Sequence, residues 1–443
     1  MNKEEILQIA KGAINKTIGE IIGNQEIELI KKDKGAIGQA IEQGLFGLKR
    51  NNLDKADFAE IGLELKVIPL KRDSKNNLVP KERMVLSIIN YEKDFLFKFK
   101  ESHVYEKNNC ILVLAYEHNY IDLNKLNYVI KDAFLLDLNT IEEYQIIEED
   151  YLTLKKMVEL GNAHLISESN SNILAACTKG SKGDNFRTQP FSSTPAKQRA
   201  FSFKVGFIKK ILNSKTRNQH LEYNLFDKID YIIEKYQNIN VIDYYLNHIR
   251  KDVTKKIPKN INRIVLDYWM KLEVPNYKKQ LQALTCELRT CTVNKDGKIQ
   301  ESLSLNVINP LAIVEDSFED SSEYLDLFEN KFLMFAFKKV DKQHIYLEKM
   351  FELEFDKSEY ETIQSVWEDT KLKFISDYQE TISPNGQVKD NFIKESSNKI
   401  IHIRPKGVNK LDQYLIMNNT KSICKKSFWI NNKYIQKKYD NSK

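Results

Sequence analysis

DFAEIGLELKVIPL, residues 57–70, pairs a short turn with a run of β-branched and aliphatic residues. GLELKVIPL at 62–70 is bounded by polar turns and is a predicted strand. Successive side chains of a strand point to opposite faces, so Glu64 and Lys66 project from one face. Asp57 precedes Glu64 by seven residues, where a turn or a preceding strand end brings it alongside. Two carboxylates converging on one spot repel each other unless a cation lies between them. Magnesium prefers oxygen ligands and keeps several waters, so one or two carboxylates plus a phosphate oxygen suffice. Lys66 beside such an ion is placed to orient or deprotonate an attacking water and to stabilise the pentacovalent charge. This is the logic of metal-assisted phosphodiester hydrolysis. The bare acid-x-base pattern is weak, because it recurs about nine or ten times by chance in this composition and more often marks a solvated strand face.

The segment upstream adds to it. KKDKGAIGQAIE at 31–42 has a basic start, Gly35 and Gly38, and then a helix predicted over 35–48 that carries Glu42. Glycines at a helix N-terminus allow close backbone approach and leave N–H groups facing an anion. Glu42 would reach the metal centre from that helix. An ordinary capped helix with a surface glutamate would look the same.

Further along, residues 3–22 predict a helix with an apolar stripe of Ile6, Ile9, Ala10, Ala13, Ile14, Ile18 and Ile21. MVLSIINYE at 84–92 and CILVLAYE at 110–117 predict strands, the second short and apolar enough to be buried. Helical pattern returns at 140–159 and 205–212. Residues 176–198 are polar and basic with Gly and Pro, and predict a loop; 213–220 predict a linker.

The chain also repeats itself. ELKVIPLKRDSKNNLVPKERMVLSIIN at 64–90 matches ELRTCTVNKDGKIQESLSLNVIN at 287–309, and YEKNNCILVLAY at 105–116 matches FENKFLMFAF at 328–337. The expected fold class is α/β: two tandem domains, about 1–215 and 225–443, each a mixed central sheet flanked by helices. A chain of 443 residues with 42% hydrophobic and 10% aromatic residues can fill two cores. The charge of +6 weakly favours an anionic partner. Five cysteines without C-x-x-C spacing read as reduced thiols in a cytosolic protein, not as a zinc site. The acid-bearing N-terminus MNKEEILQIAKGAINKTIGE is unlike a signal peptide, and no apolar run is long enough to span a membrane. A bacterial cytoplasmic protein is therefore expected.

KKDKGAIGQAIE followed by DFAEIGLELKVIP resembles the MutH mismatch-repair nuclease and its restriction-enzyme relatives, the Sau-type family that cuts at GATC. ESHVYEK at 101–107 resembles a downstream motif of that family. IHIRPKGVNK at 401–410 and KSFWINNKY at 426–434 resemble its DNA-reading elements, with weaker counterparts in ILAACTKGSK at 173–182 and RAFSFKVGF at 199–207. The resemblance implies restriction-endonuclease-like domains of the PD-(D/E)xK type. It implies Glu42, Asp57, Glu64 and Lys66 as the catalytic set, with the three acids as metal ligands and Mg2+ as cofactor. It implies Lys107 as a further lysine near the scissile phosphate, and Lys34 and Gly35 as backbone contacts. Lys179 falls at a base-contacting lysine, but Cys177 and Thr178 replace the family's arginine and proline. Ser202 replaces a tyrosine linked to sensing adenine methylation. In the second copy Arg404, Pro405 and Lys406 are intact: Arg404 and Lys406 are placed to reach guanine O6 and N7 in the major groove, and Trp429 to pack against a base or methyl group or, equally, in a core. There Arg289 replaces Lys66, Gln280 falls where Asp57 would, and Glu287 alone is a poor magnesium site.

The resemblance thus implies a type II restriction endonuclease acting on double-stranded DNA, with a C-terminal domain that binds DNA at a second or allosteric site without cutting. One active site nicks one strand, so cutting both strands of a palindrome needs a homodimer on DNA, bridging two sites on one reading, or two sequential events; a cognate DNA methyltransferase is expected in the cell. A partner-activated strand-nicking repair enzyme and a non-catalytic DNA-binding regulator are the alternatives.

Overall fold

The computed structural model describes residues 1–23, 30, 36–48, 55–73, 76–122, 124–179, 185–213, 224–250, 256–355, 357–382, 388–409 and 411–442. The chain divides into two compact units, Met1–His220 and Leu221–Lys443.

The N-terminal unit is built on a four-stranded mixed sheet of β1 (Glu64–Arg72), β2 (Leu78–Pro80), β4 (Cys110–Glu117) and β5 (Val129–Asp137), in the order β2-β1-β4-β5. β1 runs parallel to β4, and the two outer pairings are antiparallel. Both faces of this sheet are covered, which is why β4 is a continuous buried run from Cys110 to Tyr116, with only Glu117 charged at its end. Leu112, Leu114 and Tyr116 join Leu63 and Leu65 in a core under α1 (Lys3–Gly12), α2 (Ile18–Ile21) and α3 (Ala36–Phe46). Ile111, Val113 and Ala115 join Ile68 and Leu70 on the opposite face. There they meet α5 (Tyr144–Glu159), whose Ile147, Tyr151, Leu154 and Val158 follow helical spacing. That second core continues into a three-stranded antiparallel sheet of β3 (Met84–Ile88), β6 (Leu174–Thr178) and β9 (Arg199–Phe203), in the order β3-β9-β6, and into α6 (Val205–Asn213). α4 (His103–Asn108) precedes β4. Each large aliphatic side chain buried here contributes roughly 1.5–3 kcal/mol.

The C-terminal unit uses the same pairings. β10 (Cys286–Val293) is parallel to β12 (Lys331–Lys339), which is antiparallel to β13 (Ile345–Leu353). A second sheet has the order β11-β19-β16, from β11 (Leu303–Val307), β16 (Ile401–Pro405) and β19 (Lys426–Ile430). Both units therefore carry a mixed sheet and a smaller antiparallel sheet, joined to the chain in the same sequence. The unit's main helices are α7 (Leu225–Tyr236), α8 (Ile261–Glu273), α9 (Tyr277–Ala283), α10 (Lys357–Leu372) and α11 (Asn432–Asn441).

Three elements differ from expectation. The helix over 3–22 breaks at 13–17, because Asn15 turns left-handed at φ 67° and donates its N–H to Ile130 at 2.9 Å. Thr17 then bridges to Val129 and caps α2 through Glu20. Within 176–198, the described residues form an antiparallel hairpin of β7 (Phe186–Gln189) and β8 (Ser192–Lys197). Its exposed polar strands lack the alternation that marks a half-buried strand, and a two-stranded ribbon tolerates Pro195. The C-terminal unit has the matching hairpin, β17 (Gln413–Ile416) with β18 (Lys421–Cys424). The helix expected from 140 begins at Tyr144. Cys110, Cys177, Cys286, Cys291 and Cys424 are all free thiols. No described helix is long and apolar enough to cross a membrane.

Candidate active site

Glu64 and Lys66 open β1 on the face that also carries Ile68 and Leu70. Just before them the chain folds back on itself. Phe58 and Leu63 exchange backbone hydrogen bonds around a single 3-10 turn, Ala59–Ile61, and Gly62 supplies the left-handed residue at φ 58° that closes it. This turn brings Asp57 beside Glu64. Asp57 N–H donates to Glu64 Oε2 at 3.2 Å, and Leu65 N–H donates to Asp57 Oδ2 at 2.9 Å. Each carboxylate is thus held through the backbone of the other's segment.

The cations converge on one oxygen. Lys66 Nζ donates to Glu64 Oε1 at 2.7 Å and to Leu86 O of β3 at 3.3 Å. Lys107 Nζ stands 3.9 Å from the same Glu64 Oε1. It comes from α4, whose first turn is capped by buried Ser102: its Oγ accepts from Tyr105 N–H and donates to Phe99 O. Glu64 is only 3% exposed.

Glu42 reaches the cluster from α3, which buries Ala36, Ile37, Ala40 and Ile41 against the sheet. Burial, and then the neighbouring Asp57 carboxylate, push the Glu42 carboxyl above its ordinary value; Glu64 adds to this, while Lys66 and Lys107 oppose it. Burial also pushes Glu64 up; Lys66, its largest charged neighbour, opposes this and Asp57 reinforces it. Three acids thus face two lysines in a partly dry site. Among the described residues no three His, Cys, Asp or Glu side chains close on a single point. The donors are carboxylate oxygens with open positions left over, a set that suits a hard, water-keeping ion such as magnesium. Asp57, Glu64 and Glu42 are the residues that would hold it.

Lys34 and Gly35 lie outside the described residues. Gly38 is on α3, with Val67 next to where its Cβ would be. Lys179 follows β6, away from this cluster in sequence, with its N–H donating to Gln198 O. Strand register relates the reading positions of the two units. Ser202 pairs with Val85 and Ala175, and Trp429 pairs with Ser304 and His402, so Ser202 and Trp429 occupy matching places. By the same register Cys177 matches Arg404. Cys177 is buried, whereas Arg404 is exposed and lays its guanidinium 4.9 Å from the Trp429 ring centre. Trp429 is half-buried, and its Nε1 has no hydrogen-bond partner. Lys406, expected at a base edge, instead turns its ammonium to Leu305 O. Burial and the adjacent Arg289 hold Lys406 below the usual lysine value.

Among the described residues the first site has no twin. Arg289 Nη2 pairs with Glu287 Oε1 at 2.8 Å, and the Glu287 side chain is 40% exposed, against 4% for Glu64. α9 runs almost directly into β10 through Thr285 at φ 50°, leaving no turn like 57–63. Gln280 is buried in α9 and committed to Asn224 and to Pro275 O. Sequence reasoning missed the three backbone partners of the first site, Asp57 N–H, Leu65 N–H and Leu86 O, because backbone groups carry no residue signal.

With this geometry in view, comparison with known proteins is informative. A family model described as DNA mismatch repair enzyme MutH matches residues 46–150, which hold Asp57, Glu64, Lys66 and Lys107. The type II restriction enzyme Sau3AI of Staphylococcus aureus is 30% identical, over 99% of this chain and 99% of its own length. The chain belongs to the Sau3AI family of type II restriction enzymes. It is a nuclease that acts on DNA. The DNA mismatch repair protein MutH of Actinobacillus pleuropneumoniae serotype 3 (strain JL03) is 26% identical over 46% of this chain and 88% of its own. That of Pasteurella multocida (strain Pm70) is 24% identical over 40% of this chain and 78% of its own. These MutH relatives are about the size of one unit, and the Sau3AI relative is the size of two.

Proposed function

We propose that this member of the Sau3AI family is a Mg2+-dependent endonuclease that cuts both strands of duplex DNA at GATC. On this reading the N-terminal unit is catalytic and the C-terminal unit binds DNA without cutting it. The observation that carries the reading is the reciprocal clamp of Asp57 and Glu64 with two lysines on Glu64 Oε1. GATC follows from the family resemblance. Asp57, Glu64 and Glu42 would hold a magnesium ion, which when bound would supply charge stabilisation for the scissile phosphate.

The protein's own groups do the rest. Lys66, fixed between Glu64 and Leu86 O, orients the attacking water and faces the charge that develops on phosphorus. Lys107, anchored on the capped α4, neutralises a phosphate oxygen. Water enters in line and the 3′ oxygen leaves, giving a 5′-phosphate and a 3′-hydroxyl. Each N-terminal site cuts one strand, so a palindrome is cut by a homodimer on DNA, bridging two sites through the C-terminal units. Arg404 reads a guanine edge in the major groove, backed by Trp429. The Lys34, Gly35 and Lys179 positions contact the duplex. A bacterial cytoplasm, with a cognate methyltransferase protecting host DNA, is the setting this activity requires.

Lys66→Ala is the direct test. It lowers the single-turnover cleavage rate by about 10²–10⁴-fold while leaving DNA affinity intact. A variant that cuts at the normal rate removes the site assignment. On unmethylated plasmid the unaltered protein yields linear fragments; persistent open circles would instead support a strand-nicking enzyme.

A further inference from the structure

The two units seat a lysine ammonium on the same backbone carbonyl, but from different strands. β3 pairs with β9 as β11 pairs with β19: Met84 faces Phe203 and Val85 faces Ser202, while Leu303 faces Ile430 and Ser304 faces Trp429. Both pairings shift register just beyond. Leu86 and Leu305 are therefore equivalent. In the N-terminal unit Leu86 O accepts from Lys66 of β1. In the C-terminal unit Leu305 O accepts from Lys406, which follows β16, and from Ser427 Oγ at 2.8 Å. Arg289, at the place of Lys66 on β10, is occupied with Glu287. The charges close locally: Lys406 feels Arg289, Asp326 and Glu287, two acids against two bases. The N-terminal cluster has three acids against two lysines and so has a deficit of positive charge. Lys406 leads directly into a tight passage at Gly407, where a Cβ would meet Asp412 O at 2.9 Å, so the chain leaves β16 along a fixed path.

We propose that Lys406 is the built-in cation of the C-terminal unit. Its ammonium takes the carbonyl that Lys66 takes in the other unit and is committed there, so this unit engages DNA without a divalent ion and without a base contact from Lys406. The inference rests on the reading that the C-terminal unit binds DNA, and assigns its base reading to Arg404.

The test uses the full chain silenced by Lys66→Ala, a GATC duplex, EDTA, and fluorescence anisotropy across a salt series. A lysine that contacts DNA reduces the slope of log affinity against log salt by about one when it is removed. Lys406→Gln is expected to leave that slope, and the ranking of single-base-pair variants of the duplex, unchanged. It is expected to speed hydrogen exchange in 303–307. A slope reduced by about one, or discrimination lost at one base pair, overturns the inference. Amine-reactive labelling of the Lys66→Ala chain with an unaltered Lys406 needs no second variant. Lys406 is expected to label slowly and equally with and without duplex, and protection that appears only on adding duplex overturns the inference. Arg404→Gln separates the two claims. If it too leaves binding and discrimination unchanged, the DNA-binding reading of the unit falls and the inference falls with it. A slope change in Lys406→Gln alone overturns the inference and leaves that reading standing.

Discussion

Glu64 and Glu287 each stand at the start of a strand that is parallel to the next strand of its sheet, with the same kind of neighbours in register. One is buried beside two other acids; the other is half-exposed and paired with an arginine two residues on. Burial is what makes the first demanding. A dry carboxylate next to others holds its charge only with cations supplied, whereas an exposed ion pair asks for nothing and contributes little. The difference between the two units is thus one of solvent access and charge count more than of fold.

The largest expected effect is on chemistry. Glu64→Gln lowers the cleavage rate by about 10²-fold or more, while Glu287→Gln leaves it within error, measured by single-turnover assays. Equal losses in the two variants would erase the distinction between the units. A second contrast concerns stability. Arg83 and Glu168 form a buried pair at 2.6 Å, and the matching place in the other unit holds Ser302 and exposed Glu395 at 3.5 Å. Glu168→Ala removes the charged partner of a buried guanidinium and costs about 3–5 kcal/mol, whereas Glu395→Ala stays within about 0.5 kcal/mol, both read by denaturant unfolding. A third concerns reading. Arg404→Ala costs about 1–3 kcal/mol of discrimination at one base pair, while Cys177→Ala, buried at the equivalent place, leaves base ranking unchanged in the same competition assay.

The smallest effect is a pH dependence. Glu42 titrates above its ordinary 4.5 in the folded chain, because burial and Asp57 penalise its charge. Such a group stabilises the fold below its unfolded pKa, and that contribution is lost as pH rises through the raised folded value. Glu42→Gln should therefore raise the unfolding temperature in EDTA at about pH 8 and leave it unchanged at about pH 4. Saturating Mg2+ should reverse the order at the higher pH. A Gln variant less stable in EDTA at both pH values would show that the Glu42 carboxylate is not strained by its neighbours.

Much of this was legible beforehand, and the exceptions share a cause. β1 and β4 announce themselves as aliphatic runs, and the period of two alone puts Glu64 and Lys66 on one face. The repeat at 64–90 and 287–309 predicts the doubled architecture. The hairpin at 186–197 was hidden because its strands pack against little and so carry no pattern. The break at Asn15 depends on a distant partner, Ile130 O. Lys406 was placed at a base edge by likeness, and its turn toward Leu305 O depends on a strand register that no local run of residues encodes. Sequence shows which side chains are near each other along a strand; it does not show which carbonyl a long lysine will reach.

The clamp between Asp57 and Glu64 also bears on how such a site is lost. Each acid is tethered by an amide belonging to the other's segment, across a turn that needs Gly62 in a left-handed conformation. Disturbing the turn displaces both ligands together, so decay proceeds as a single collapse instead of a gradual weakening. On the proposed reading, a unit without such a turn has neither carboxylate in place, and binding is the activity left to it.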